Sequence, residues 1–188
     1  MIKEYLKSFN IFSSSEIDEV IQLGNYHRYK KGDFFIKEGQ ISKNIAFINS
    51  GILRSFYYSN SDNEITYCLS FPKSFVTAFT SYISQEESSI NIQTLSATEL
   101  FLIPKIQMDK LVKKNENWLL FQKQIAEKYF MTLEKRVFEH QKEKAENRYV
   151  NLVKSRPEYI KQIPLQYIAS YLGITQRHLS RIRAQTDF

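Results

Sequence analysis

From about residue 26 to residue 104, apolar and β-branched residues occur in short runs that are separated by turn residues. Glycine or asparagine among polar neighbours, which is typical of tight turns, occurs at residues 31–33, 38–40, 49–51 and 59–63. The runs between these turns predict strands at residues 34–37, 45–48, 52–58, 65–71, 90–95 and 99–103. Short strands at this spacing indicate one antiparallel β-roll or jelly-roll, preceded by a short helical lead-in.

After Pro104 the apolar residues recur every three or four positions, which is the period of an α-helix. One stripe consists of Trp118, Phe121, Ile125, Tyr129, Leu133 and Val137, and beside it lie Ala126, Phe130 and Phe138. The pattern predicts one helix of about thirty residues, roughly 45 Å long. A stripe this wide is expected to pack against two surfaces, the β-roll and the same helix of a second copy of the chain. In the alternative, the whole stripe packs on the chain's own domain.

Residues 163–184 have the pattern of two short helices joined by a tight turn. Ala169 is small enough for two helices to cross closely, and Gly173 can adopt the positive φ that reverses the chain. Apolar residues at helical intervals supply a shared core, namely Ile168, Leu172, Ile174, Leu179 and Ile182. The segment therefore predicts a helix-turn-helix.

The second of these helices presents polar and basic side chains after Thr175, which is a suitable N-cap. Arginine and glutamine are suited to base edges, and hydroxyls and cations to phosphates. The predicted DNA-binding residues are Thr175, Gln176, Arg177, His178, Ser180, Arg181 and Arg183. The alternative is a helical hairpin with a solvated basic face.

These elements predict an α+β chain with three parts. The β-roll is expected at residues 1–112, the long dimerisation helix at residues 113–144, and the helix-turn-helix domain at residues 145–188. Lysine and arginine total 26 against 20 acidic residues, a net charge of +6 that suits a polyanionic partner without requiring one.

The candidate chemistry argues against a cofactor. Cys68 is the only cysteine, which excludes an intramolecular disulfide and a cysteine-ligated iron–sulfur cluster. We expect it to be a small buried hydrophobe, with redox sensing as the alternative. The three histidines, His27, His140 and His178, show no metal-ligand spacing, so we expect no metal, no other cofactor and no catalytic residues. A cupin-like enzyme is disfavoured because only His27 lies in the β-roll.

The hydropathy pattern contains neither a signal-peptide core nor a run long enough to span a bilayer. We therefore expect a cytoplasmic protein with no membrane partner.

A β-roll, a long helix and a helix-turn-helix in this order resemble the Crp/Fnr family of bacterial transcription regulators. Residues 29–39 resemble the family's opening strands, residues 48–51 its next hairpin turn, and residues 179–182 its recognition helix. The resemblance implies a regulator that dimerises through residues 115–140 and binds palindromic double-stranded DNA, with RNA polymerase a further candidate partner. It places Gln176, Arg177 and Arg181 at base edges. Thr175, His178 and Ser180 would then contact phosphates, and Arg183 would contact either a base or a phosphate.

The chain departs from the family where cyclic-nucleotide-binding members hold their ligand. In those members a Gly-Glu-Leu segment opens a short helix, and an arginine further on neutralises the phosphate. The corresponding segment is assigned here to residues 71–76, which lack both the glycine and the glutamate, and the arginine's place falls near Glu86 and Glu87. Two carboxylates repel a phosphate, so we expect no response to cyclic AMP.

The effector is not identified by the sequence. The aromatic residues Phe71, Phe75, Phe79 and Tyr82 either line an apolar effector pocket or belong to the core. The alternative function is an effector-sensing or protein-interaction β-roll protein in which DNA binding is vestigial.

Overall fold

The β-roll consists of eight antiparallel strands in two four-stranded sheets, preceded by helices α1 Ile2–Lys7 and α2 Ser14–Leu23. The computed structural model describes residues 1–185. In chain order the strands are β1 Asn25–Tyr29, β2 Phe34–Ile36, β3 Asn44–Ser50, β4 Leu53–Tyr58, β5 Glu64–Ser70, β6 Phe75–Val76, β7 Asn91–Thr94 and β8 Thr98–Pro104. One sheet has the order β1-β8-β3-β6, and the other has the order β2-β7-β4-β5.

The central strands β3 and β8 are apolar on both faces because both faces are covered. Along β3, Ala46 and Ile48 point into the core between the two sheets. The alternate residues Ile45 and Phe47 point the other way, into a second core formed with the flanking helices. A near-continuous apolar run is the pattern expected of a strand buried on both sides.

Seven helices complete the described part of the chain beyond α1 and α2. They are α3 Phe79–Ser84, α4 Lys105–Lys114, α5 Glu116–Lys142, α6 Ala145–Ser155, α7 Pro157–Ile160, α8 Leu165–Tyr171 and α9 Gln176–Gln185. No helix among these residues is both long and apolar enough to cross a membrane.

The predicted α+β fold class is confirmed, and all six predicted strands are present with shifted ends. The pattern did not predict the strands β1 and β6, or the helices α3, α4 and α7 as separate elements. Strand β1 is largely exposed and polar, so it lacks the alternation of a half-buried strand. Strand β6 has two residues and α3 has six, which is too short for a periodic signal.

The first turns of α5 are fixed to the β-roll by aromatic packing. Trp118, Phe121 and Ile125 are buried, and the ring centroids of Phe12 and Trp118 lie 4.3 Å apart. Phe9 packs edge-on against Phe121 at 5.0 Å. These contacts hold the base of α5, and with it the direction in which the helix leaves the domain.

Beyond this base, the predicted apolar stripe divides into two. Tyr129 still faces the domain, where its ring stacks on Phe79 at 4.4 Å. Phe130 and Val137, in contrast, expose 64 and 51% of their surface. The chain's own β-roll therefore covers one side of the stripe and leaves the other open.

Candidate functional site

The helix-turn-helix is formed by α8, a tight turn and α9. Ala169 is 1% exposed at the helix crossing, and Gly173 adopts φ +67° in the turn. The hydroxyl of Thr175 accepts a hydrogen bond from the backbone N–H of His178 at 3.2 Å. Thr175 thus caps α9, and Leu179 and Ile182 are buried beneath that helix.

The outer face of α9 is polar, basic and exposed. Its side chains include Gln176, Arg177, Arg181 and Arg183, none of which is hydrogen-bonded to another described residue. Residues four apart lie on the same side of a helix, so Arg177 and Arg181 extend side by side. The hydroxyl of Ser180 donates to the carbonyl of Gln176 at 3.0 Å.

His178 lies at the edge of this face and is close to another helix. Its Nε2 atom is 3.7 Å from Oε1 of Glu146 in α6. Both side chains are half-exposed. The structure therefore places six of the seven predicted residues on or at the start of the outer face, and places His178 beside a carboxylate.

The helix-turn-helix is docked on the β-roll through Arg54, whose side chain is only 1% exposed. The Nη2 atom of Arg54 lies 2.6 Å from Oε2 of Glu64 and donates to Gln93 at 2.8 Å. The guanidinium lies between two rings, 4.0 Å from the centroid of Phe56 and 3.6 Å from that of Tyr167 in α8. A buried charge needs both a counter-ion and hydrogen bonds, and Arg54 has both at the domain junction.

The same junction covers an edge of the sheet. Strand β5 is the last in its sheet, which leaves backbone groups without a neighbouring strand. The N–H of Thr66 donates to the hydroxyl of Ser170 in α8 at 2.9 Å. This contact and the stacking of Tyr167 were not foreseen from the sequence, because neither side chain stands in a recognisable motif.

A cavity of about 300 Å³ lies between α3, strand β5 and helix α5. This central cavity is lined by Tyr67, Phe79, Glu87, Tyr129 and Leu133, among other residues, and by no described lysine or arginine. Burial raises the pKa of both Tyr67 and Tyr129, so their hydroxyls stay protonated. The cavity suits apolar and hydrogen-bonding groups better than an anion.

The structure corrects the segment assigned to the nucleotide phosphate. Residues 71–76 form a turn and strand β6, not the start of a helix. The short helix α3 begins at Phe79, with Ala78 as its N-cap, so Thr77 and Ala78 occupy the place of the Gly-Glu pair. The assignment was wrong by several residues because β6 is too short to be predicted. Neither segment contains a glycine or a glutamate.

The aromatic residues of this region have mixed positions. Phe71 and Tyr82 are buried, and Phe75 and Phe79 are half-buried and packed against the core. Cys68 is half-buried, and burial raises the pKa of its thiol, which disfavours a reactive thiolate. Across residues 1–185, no group of three or more metal-ligating side chains is arranged to hold a metal ion.

Residues 26–115 match the cyclic nucleotide-binding domain family. Among solved structures, FixK2 from Bradyrhizobium japonicum is 13% identical with a TM-score of 0.76, over 86% of this chain and 83% of that one. The chain has the Crp/Fnr fold. The resemblance in fold that the sequence suggested is thereby confirmed.

Two further structures share this fold. A transcriptional regulator of the Crp/Fnr family from Eubacterium rectale is 18% identical with a TM-score of 0.73, over 95% of this chain and 85% of that one. The c-di-GMP-responsive regulator CLP from Xanthomonas campestris is 13% identical with a TM-score of 0.71, over 92 and 91% of the two chains. No curated protein matches the chain by sequence.

The Arg54 junction can be measured with a double-mutant cycle of Arg54→Met and Tyr167→Leu. We expect a coupling energy of about 1–2 kcal/mol in the free energy of unfolding, because a cation–ring contact is stronger when it is desolvated. Urea unfolding of the four proteins gives the value. The matched control is Lys142 and Phe138, an exposed pair 5.2 Å apart, for which the coupling should be near zero. Equal coupling in both pairs would show that the Arg54 contact does not hold the junction.

Proposed function

We propose that the protein is a homodimeric transcription regulator that binds palindromic double-stranded DNA through α9. The observation that carries the proposal is the outer face of α9, where Arg177 and Arg181 are exposed and lack carboxylate partners among the described residues. Arginine donates two hydrogen bonds to guanine O6 and N7, and glutamine pairs with adenine N6 and N7. We assign base contacts to Gln176, Arg177 and Arg181.

The remaining residues of the surface are assigned to the DNA backbone. Thr175 presents its hydroxyl at the positive end of α9, which favours a phosphate. Ser180 presents its hydroxyl about one turn further along the helix. Arg183 extends along the same face and suits either a phosphate or a base. His178 contacts a phosphate only if its side chain leaves Glu146, so we rank it last.

The dimer is proposed to form through an apolar strip on α5, which we call the α5 seam. It consists of Leu119, Ala126, Phe130, Leu133 and Val137. Leu119, Ala126 and Leu133 are spaced by seven residues, as are Phe130 and Val137, which is the repeat of a coiled coil. Leu133 is half-buried at the margin, where it also lines the central cavity, and the other four are exposed. Exposed aromatic and aliphatic side chains in one strip mark a protein interface.

A dimer through this seam would present two copies of α9 to one DNA molecule. In helix-turn-helix dimers the two recognition helices enter successive major grooves roughly 34 Å apart, which makes the site palindromic. CLP, which shares the fold, is a global regulator that links cell-cell signalling to virulence gene expression, and the Eubacterium rectale structure is a transcriptional regulator of the Crp/Fnr family. The chain would act in the cytoplasm, with RNA polymerase as a candidate partner.

We further propose that the effector is not cyclic AMP or cyclic GMP. The central cavity has Glu87 as its one charged lining residue among those described, so a nucleotide phosphate there would face a carboxylate and no cation. Placing an unpaired phosphate in such a site costs several kcal/mol.

For DNA binding, we expect selection from random DNA to yield a palindrome, and Arg181→Ala to weaken binding to it by about 1–3 kcal/mol with relaxed preference at one base pair. Fluorescence anisotropy with base-substituted operators measures both effects. Arg28→Ala, an exposed arginine of β1, is the control and should leave the affinity unchanged. An unaltered affinity in Arg181→Ala contradicts the assignment, and a lack of salt-dependent binding favours the vestigial alternative.

For the dimer, we expect Phe130→Glu to yield monomers, because it places a charge in the centre of the α5 seam. Sedimentation equilibrium of the wild type and the variant measures the change. The control is Phe138→Glu, since Phe138 is similarly exposed at 48% but lies outside the seam, where Lys142 covers its ring. A monomeric wild type, or the same loss of dimer in both variants, would disprove the seam.

For the effector, calorimetric titration of the wild-type protein with cyclic AMP and with cyclic GMP should show no saturable heat at micromolar concentrations. The reason is the missing cation in the central cavity. Thr77→Gly combined with Ala78→Glu, which restores the family's residues before α3, is the comparison variant. Micromolar binding by the wild type would overturn the proposal.

A further inference from the structure

A second, larger hollow lies between the β-roll, α5, α6 and α8. Its volume is about 540 Å³, within the range of small-molecule sites. Its floor includes Leu69 and Phe71 of the β-roll, and Tyr171 of α8 forms part of its wall. We call it the basic hollow. No residue of the α5 seam lines it, so a dimer through the seam leaves it open.

Positive charge dominates the lining of the basic hollow. Three arginines border it, Arg136 from α5, Arg148 from α6 and Arg156 directly after α6. The one carboxylate in its lining is Glu139, which lies 3.7 Å from Lys135. Within residues 1–185, none of the three arginines forms an ion pair. Three guanidiniums thus border one space, and none has a carboxylate within ion-pair distance among the described residues.

Two of these arginines already hydrogen-bond to carbonyls at the end of α8, but these bonds use only some of their N–H donors. Arg136 donates to the carbonyl of Tyr171 at 3.3 Å, where α8 ends. Arg148 donates to the carbonyl of Leu172 at 2.8 Å and to that of Glu143 at 2.5 Å. A guanidinium has five N–H donors, and the Nε atom of Arg148 is buried without a partner. Arg156 is not used in this way, because its described hydrogen bond is to the carbonyl of its own neighbour, Ser155.

The rest of the lining suits a flat or apolar body. The guanidinium of Arg156 lies 5.3 Å from the ring centroid of buried Phe71, and that of Arg136 lies 4.4 Å from the ring of Tyr171. Leu69 and Leu152 add buried aliphatic surface. Partial burial and then the charges of Arg136 and Arg148 lower the pKa of His140 in the wall, as expected beside positive charge that is not neutralised.

We propose that the basic hollow binds an anionic small molecule with an aromatic or apolar body, whose carboxylate or phosphate group pairs with Arg136 and Arg156. Arginine forks onto planar carboxylates and phosphates, and the rings of Phe71 and Tyr171 pack against the body. The site is separate from the central cavity and does not depend on the proposed DNA binding. Because its walls come from both the β-roll and the helix-turn-helix, its ligand contacts both at once.

The test uses 1-naphthyl phosphate as the probe, with 1-naphthol and inorganic phosphate as partial probes, in calorimetric titrations of the full chain. We expect saturable binding of 1-naphthyl phosphate, weaker binding of inorganic phosphate, and none of neutral 1-naphthol. Arg156→Gln should weaken binding of the full probe by at least about tenfold, because one charge-assisted contact is lost. Arg156 is exposed, so this variant should fold, and Arg136→Gln gives a second measurement.

Two controls locate the site. Arg28→Gln removes an exposed arginine far from the hollow and should leave affinity unchanged. Glu87→Gln removes the carboxylate of the central cavity and should also have no effect. Binding that improves in Glu87→Gln and is unchanged in Arg156→Gln would place the probe in the central cavity and overturn the proposal. Absence of saturable binding to the wild type, or unchanged probe affinity in both Arg156→Gln and Arg136→Gln, would overturn it too.

Discussion

The structure depends on how the surface of one helix is shared among its neighbours. Helix α5 is 27 residues long, and only its first turns are buried by the β-roll, through Trp118, Phe121 and Ile125. In proteins most of the stability of a helix comes from packing of its apolar face, so tertiary contacts are expected to hold the rest. One side beyond Ile125 faces α3 across the central cavity, an adjacent side carries the exposed apolar strip, and another borders the basic hollow. The central cavity, the α5 seam and the basic hollow therefore lie on different sides of the same helix, with Leu133 at the boundary between the first two.

The second constraint is the buried charge of Arg54. Its guanidinium is held by Glu64 and Gln93 from within the β-roll, and the Tyr167 ring of α8 completes its enclosure. Separating the two domains would expose this ring and the edge of β5 that Ser170 covers. An ion pair whose guanidinium is also stacked on a ring is favourable in only one geometry. Such a contact fixes the orientation of the two domains as well as holding them together. The orientation of the helix-turn-helix thus has an identifiable cause.

The elements that could be predicted are those whose sequence pattern lies within a short stretch of the chain. The helix-turn-helix was predictable because its turn needs Gly173, its crossing needs Ala169, and its core repeats at helical intervals, all within about twenty residues. Strands β3 and β8 were predictable from continuous apolar runs. The contacts of Arg54 with Tyr167, and of Arg136 with Tyr171, join residues far apart in sequence that carry no local pattern. The position of α3 was missed for the opposite reason, since six residues are too few to show a period.

The placement of the helix-turn-helix limits how a ligand in the basic hollow could act. With the domains docked, the outer face of α9 is exposed, so docking does not mask Arg177 or Arg181. A ligand shifts an equilibrium only by its difference in affinity for the two states. A molecule that touches Phe71 of the β-roll and Tyr171 of α8 together binds the docked state better than any undocked one. Its effect on a dimer would therefore be to fix the distance and angle between the two copies of α9. On DNA with a set half-site spacing, that change in geometry can favour or oppose binding without any residue of α9 being covered.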